Sequence, residues 1–141
     1  MQSNLAYQTD GMICYDKNAL LCQNLGGLYT WETARRSCPK GWRLPDQKQW
    51  EDLVNAWGGF DQPKAFQALV YGGGAFFQAQ LAGMRRPDGG FTGLYEEGYY
   101  WTSVPSGDRA GMAVFFDKKS RSVKMIPVDR KAGASCRCVR E

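Results

Sequence analysis

Apolar side chains recur at helical spacing up to Val70 and alternate at strand spacing from Phe77 onward, which divides the chain into a helical first part and a β-rich second part. Gly26-Gly27 breaks the chain before Leu28-Tyr29-Thr30-Trp31, and Thr30 is placed to cap a short helix through Glu32, Ala34 and Arg35 that Pro39 ends. A better-marked helix follows. Pro45-Asp46 with Gln49 makes a capping-box start, Trp50, Leu53, Val54 and Trp57 recur at i, i+3, i+4 and i+7, and Gly58-Gly59 supplies the stop, so this stripe is expected to be core. Asp61-Gln62-Pro63 opens a third helical segment with Phe66, Leu69 and Val70 inward, closed by Tyr71-Gly72-Gly73-Gly74.

In the β-rich part, Phe77, Ala79 and Leu81 alternate with Gln78, Gln80 and Ala82, Pro87-Asp88-Gly89-Gly90 is a turn, and Tyr99 and Trp101 alternate with Tyr100 and Thr102. Ala113-Val114-Phe115-Phe116 and Ser122-Val123-Lys124-Met125-Ile126 read as a hairpin about a polar turn, and Ser135 to Val139 as a closing strand. Helices followed by strands predict an α+β fold rather than a parallel-sheet one. There is no internal repeat, linker or low-complexity tract, so residues 1–141 read as one domain.

Composition agrees with a folded chain: 141 residues with 43% apolar and 13% aromatic content suffice for a core. No apolar run approaches the roughly 20 residues of a membrane helix, so no membrane insertion of this chain is expected. Five cysteines beside no histidine point to disulfides, an oxidising compartment and an export signal already removed. The lack of histidine excludes Ser-His-Asp and Cys-His sites and histidine-bearing zinc sites, and neither Cys14/Cys22 nor Cys136-Arg137-Cys138 has the spacing of a zinc knuckle. Cys14 and Cys22 flank a short polar segment that can loop back into a local bridge. A cysteine after the first helix, Cys38, and one in the terminal strand could tie the ends of the domain together.

Charge is uneven. Residues 1–99 carry nine basic and ten acidic side chains, whereas residues 100–141 carry nine basic and four acidic, a local net of +5. That excess reads either as a solvated rim or as a face for an anionic partner, and no motif accompanies it that specifies nucleic acid. Gly72-Gly73-Gly74 runs into Ala75-Phe76-Phe77 without the lysine and hydroxyl of a phosphate loop, so a tight connection is expected there. Glu51-Asp52 and Glu96-Glu97 diverge as sequence neighbours do and are expected to be solvated rather than paired for acid–base work. Of the aromatic residues, Tyr95, Tyr99, Tyr100 and Trp101 are the candidates for ligand contact, if exposed.

Several blocks in order resemble the Fibrobacter succinogenes major paralogous domain: Met1-Gln2-Ser3-Asn4-Leu5, Cys14-Tyr15-Asp16, Gly27-Leu28-Tyr29-Thr30-Trp31, Cys38-Pro39-Lys40-Gly41-Trp42-Arg43-Leu44-Pro45, Trp50-Glu51-Asp52-Leu53, Gly83-Met84-Arg85, Asp88-Gly89-Gly90-Phe91, Gly98-Tyr99-Tyr100-Trp101-Thr102-Ser103 and Arg137-Cys138-Val139-Arg140. The resemblance implies a C-type lectin-like fold with two main helices and twisted antiparallel sheets, in exported or surface-associated bacterial proteins. It also implies a bridge between Cys38 and Cys138. With Cys14 paired to Cys22, Cys136 is left over, at a place where the family ending carries no cysteine. The family's strand before the Asn-Leu block has no counterpart here, which leaves two readings open: a first N-terminal strand is missing, or the protein is naturally short.

The oxygen-rich calcium loop of true C-type lectins is absent: Asp61-Gln62-Pro63-Lys64 and Trp101-Thr102-Ser103 stand in its place. No cofactor is therefore expected, and the reading is a non-enzymatic, exported or cell-surface ligand-binding or adhesion module for a glycan or protein ligand, anionic in character. Its contacts are expected at Tyr100, Arg109, Met112, Lys118, Lys119, Arg121 and Arg130. Two rivals stand beside it: a phage or retroelement-diversified receptor-binding protein, and a cysteine-dependent oxidase using Cys136 and Cys138, whose side chains two residues apart on a strand share a face.

Overall fold

The computed structural model describes residues 3–141, so Met1 and Gln2 of the first family block lie outside the described residues. The element order is β1 (Met12–Ile13), a 3-10 turn (Tyr15–Lys17), α1 (Ala19–Leu25), β2 (Leu28–Tyr29), α2 (Trp31–Ser37), β3 (Trp42–Arg43), α3 (Gln47–Ala56), α4 (Pro63–Leu69), β4 (Ala82–Arg85), β5 (Phe91–Leu94), β6 (Glu97–Ser106), β7 (Ala110–Asp117), β8 (Ser122–Asp129) and β9 (Val139–Arg140). This is the expected α+β class. A five-stranded sheet in the order β5-β4-β6-β7-β8 forms its centre, antiparallel except where β4 lies parallel to β6. Two short antiparallel pairs, β1 with β2 and β3 with β9, flank it.

Local chemistry explains the helices. α3 starts on a complete capping box, with the Asp46 carboxylate accepting from the Gln49 N–H at 2.8 Å and the Gln49 side chain accepting from the Asp46 N–H at 3.1 Å. α4 begins with Pro63 in its first turn, where a missing N–H costs nothing. α1, which apolar spacing did not announce, is capped by Asn18 accepting from the Leu20 N–H at 2.9 Å. It lies between the two cysteines of the local Cys14–Cys22 bridge.

Consecutive residues of β6 point to opposite faces of the sheet, so Trp101 enters one core and Tyr100 another. On the first face α2 contributes Trp31 and Ala34 against Tyr29, Trp101, Ala113 and the terminal segment Ala134, Cys136 and Cys138. On the second, α3 and α4 contribute Trp50, Val54, Phe66 and Leu69 against Tyr100, Val114, Phe116 and Val123. The indole N–H groups of the first core are satisfied across the chain, Trp31 donating to the Thr102 carbonyl at 2.9 Å and Trp101 to that of Tyr29 at 2.6 Å. Gly111 is required where it stands, because a Cβ there would lie 2.5 Å from Cδ1 of Trp31.

Three expectations change. Trp57 leaves the core stripe: α3 ends at Ala56, Trp57 has non-helical backbone angles, and its side chain is 41% exposed. Residues 77–81 do not form a strand. Ala79 makes only a bridge to Val70, and the sheet begins at Ala82. The closing strand is likewise shorter, since residues 133–135 cross the fold by single bridges to Arg85, Tyr29 and Tyr100 before β9 pairs with β3. The second bridge, Cys38–Cys138, ties the end of α2 to this terminal segment over 100 residues. No helix among the described residues is long and apolar enough to cross a membrane.

Candidate functional site

The residues expected to form one basic face are separated. Lys118, Lys119 and Arg121 occupy the turn between β7 and β8, whereas Arg109 sits in the β6–β7 turn and Arg130 just beyond β8, at the other end of the same hairpin. The eight residues of β7 put about 23 Å between those ends at a rise of roughly 3.3 Å per residue. Met112 is half-buried in mid-strand opposite Pro127.

Arg130 is committed to the scaffold. Its Nε donates to the Ala110 carbonyl at 2.9 Å and its Nη2 to that of Gly107 at 2.7 Å, while its guanidinium lies 4.3 Å over the Trp31 ring and pairs with Glu32. Arg109, by contrast, is exposed beside Asp108, Asp129 and Lys131 in an open polar cleft of mixed charge.

Tyr100 and Trp101 are not surface contacts. Both are completely buried, and the Tyr100 hydroxyl donates to the Gln80 carbonyl while accepting the Gln80 N–H, each at 2.8 Å. Burial raises the Tyr100 hydroxyl above its ordinary range, against the opposing pull of the Arg137 charge. Tyr99 is half-buried and stacked on Phe115 at 4.7 Å, and its hydroxyl donates to Glu97 at 2.5 Å. Glu97 is thus held rather than freely solvated.

The lysine turn instead borders a cleft of about 440 Å³ on the α4 side of the molecule. Its floor is Phe66, Val70, Ala79 and Leu81, and its rim carries Tyr71, Gln80, Tyr95 and Lys118. Tyr71 is 71% and Tyr95 54% exposed, large values for aromatic rings next to an apolar floor.

Backbone bonds lace together the strands of chain that carry these groups. The Tyr71 N–H donates to the Ala79 carbonyl at 3.0 Å, the Tyr95 N–H to that of Leu81 at 2.8 Å, and the Lys118 N–H to that of Glu96 at 3.0 Å. The turn bearing Lys118 is itself held by Asp117, which accepts from the Lys119 N–H and the Ser120 hydroxyl. Of these rim residues the sequence singled out Lys118 and Tyr95. Tyr71 and Gln80 escaped notice, although a tyrosine beside three glycines is a local sign of an aromatic ring left outside regular structure.

The leftover thiol is deep in the first core. Cys136 Sγ lies 3.9 Å from Cys138 Sγ, and with Cys38 the three sulfurs lie within 4.8 Å of one another. Burial pushes the Cys136 thiol up to about 12, so it holds almost no thiolate near neutrality and is a poor nucleophile.

Among curated proteins and among solved structures, none matches this chain. A family model, that of the Fibrobacter succinogenes major domain, matches residues 1–140, and the chain belongs to that family.

Proposed function

We propose that this chain is a non-enzymatic ligand-binding module that holds an acidic glycan in the cleft between the Tyr71 loop and the Lys118 turn. The observation that carries the reading is the pairing of two exposed tyrosines with an apolar floor and a lysine at the rim. Tyrosine rings stack on the apolar faces of sugar rings, the Gln80 amide offers donors and an acceptor to hydroxyls, and Lys118 answers a carboxylate or sulfate. Lys119 and Arg121, exposed in the same turn, extend the positive field over the cleft and steer an anionic ligand toward it.

The C-type lectin-like description of the fold, an exported or cell-surface location, and adhesion as the cellular role belong to the same proposal. Two bridged cysteine pairs support export, because such bridges persist in oxidising compartments. The bridge from α2 to the terminal segment and the twisted central sheet support the lectin-like description.

The test is a glycan array probed with the purified domain, followed by titration of the best ligand against Tyr71→Ala, Tyr95→Ala and Lys118→Glu. Each change is expected to weaken binding about tenfold or more, and salt is expected to weaken the parent far more than Lys118→Glu. Arg109→Glu, at the far end of the hairpin, is expected to bind as the parent does. Full binding by the three cleft variants would overturn the assignment.

A further inference from the structure

A second cavity, sharing no lining residue with the tyrosine cleft, opens between α3 and the terminal segment. Its volume of about 230 Å³ exceeds the roughly 150 Å³ cavity known to take a benzene ring. Gln49, Trp50, Leu53, Phe77, Arg137 and Val139 line it. Apart from the guanidinium, these walls carry no formal charge.

Arg137 is 2% exposed. Its Nε and Nη2 donate to Asn4 Oδ1 at 3.1 and 2.6 Å, Nη2 also to the Gln78 carbonyl at 3.1 Å, and Nη1 to the Phe77 carbonyl. Every one of these acceptors is a neutral carbonyl oxygen. Among the described residues no carboxylate lies within ion-pair distance of Arg137. A guanidinium has five N–H donors, and these four bonds leave one Nη1–H without an acceptor among the described residues. Burying a cation away from any counter-charge is costly, so the site is short of one negative charge.

A second donor goes unmet in the same wall. The Trp50 Nε1–H is buried and has no hydrogen-bond partner among the described residues, unlike the paired indoles of Trp31 and Trp101. Phe77 links the two groups: the Arg137 guanidinium lies 4.2 Å over its ring, and its ring centre is 5.4 Å from that of Trp50. Two residues of this lining, Arg137 and Trp50, thus carry a positive charge without a carboxylate partner and two N–H donors unmet among the described residues, beside apolar walls from Leu53 and Val139.

We infer that this cavity binds a small organic carboxylate, with its two oxygens taken by the free Arg137 and Trp50 donors and its apolar tail against Leu53 and Val139. The charge-assisted arginine bond supplies most of the selectivity for acid over neutral ligand. Asn4 and the Phe77–Gln78 carbonyls hold the guanidinium in place before the ligand arrives, so little ordering is left to the binding step.

The test uses the oxidised full chain with phenylacetate and its uncharged analogue phenylacetamide, followed through the indole N–H resonances and by calorimetry. The Trp50 resonance is assigned as the one lost in Trp50→Phe, which removes the donor and keeps an aromatic ring. Phenylacetate is expected to shift that resonance and to bind about tenfold or more tighter than the amide, with Trp50→Phe losing about tenfold in affinity for the acid alone. Leu53→Trp, which fills the cavity while leaving both donors in place, is expected to abolish binding of both compounds, and Tyr95→Ala to leave it unchanged. Equal affinity for acid and amide, no shift of the Trp50 resonance with either, or undiminished binding by Leu53→Trp would each overturn the inference.

Discussion

Truncating Trp50 and Trp57 separately tests the packing most directly, because both occupy one stripe of the sequence and only one is in the core. Trp50 is 2% exposed and lies edge-on or tilted against Phe77, Tyr100 and Phe116, with ring centres 5.4, 5.7 and 6.5 Å away. Its replacement by alanine removes the ring from those three aromatic contacts and enlarges the space between α3 and the sheet, for which about 3–5 kcal/mol is expected. Trp57 is 41% exposed beyond the end of α3, so solvent fills the space it vacates and only part of its transfer energy is lost, about 1–2 kcal/mol. Urea unfolding of the oxidised protein, followed by circular dichroism, gives both values, and the expected gap of about 2 kcal/mol corresponds to a difference in melting temperature near 8 °C for a chain of this length. Equal losses from the two substitutions, or a loss below about 1.5 kcal/mol for Trp50→Ala, would refute the placement of α3 against the sheet.

Non-reducing peptide mapping is expected to recover Cys14 with Cys22 and Cys38 with Cys138, and Cys136 is expected to resist alkylation until the chain is unfolded. A Cys38 to Cys136 bridge would contradict that arrangement. Stability is expected to fall in alkali. Burial raises the folded-state values of Cys136 (to about 12) and of Tyr29 and Tyr99, so their neutral forms stabilise the fold fully below the unfolded values near 9 and 10, and that contribution is lost as pH rises from about 9 toward 12. Urea midpoints measured across this range check it, with Cys136→Ala expected to flatten the first part of the decline. Gly111→Ala should cost about 1–3 kcal/mol by driving a methyl group into Trp31, read as a drop in melting temperature.

Local rules of chain geometry were legible without the fold. The capping box at Asp46 and Gln49, the proline start of α4, and the β7–β8 hairpin all depend on residues close in sequence, and each appears where its own neighbourhood directs. The α+β class follows from their order. The Asn18 cap of α1 was available in the sequence as well, but Ala19–Leu25 offers too short an amphipathic stripe to separate from a loop.

The candidate surface depended on tertiary structure. Alternation along β6 assigned Tyr100 and Trp101 to opposite faces but carried no information that α2 would cover one face and α3 with α4 the other, which is what removed both rings from solvent. Basic residues counted together in one third of the chain separated because an extended eight-residue strand lies between the two ends of the hairpin, with Arg109, Arg130 and Lys131 at one end and Lys118, Lys119 and Arg121 at the other. The placing of Tyr71 and Tyr95 on one cleft, and of Arg137 away from any carboxylate among the described residues, arises from contacts between segments far apart in sequence. The sequence by itself determined α3, α4 and the β7–β8 hairpin, because their caps and apolar positions follow the local backbone period. Tertiary structure decided which polar and aromatic groups remain unmatched, because a group's partners and its access to water are set by whatever the rest of the chain packs against it.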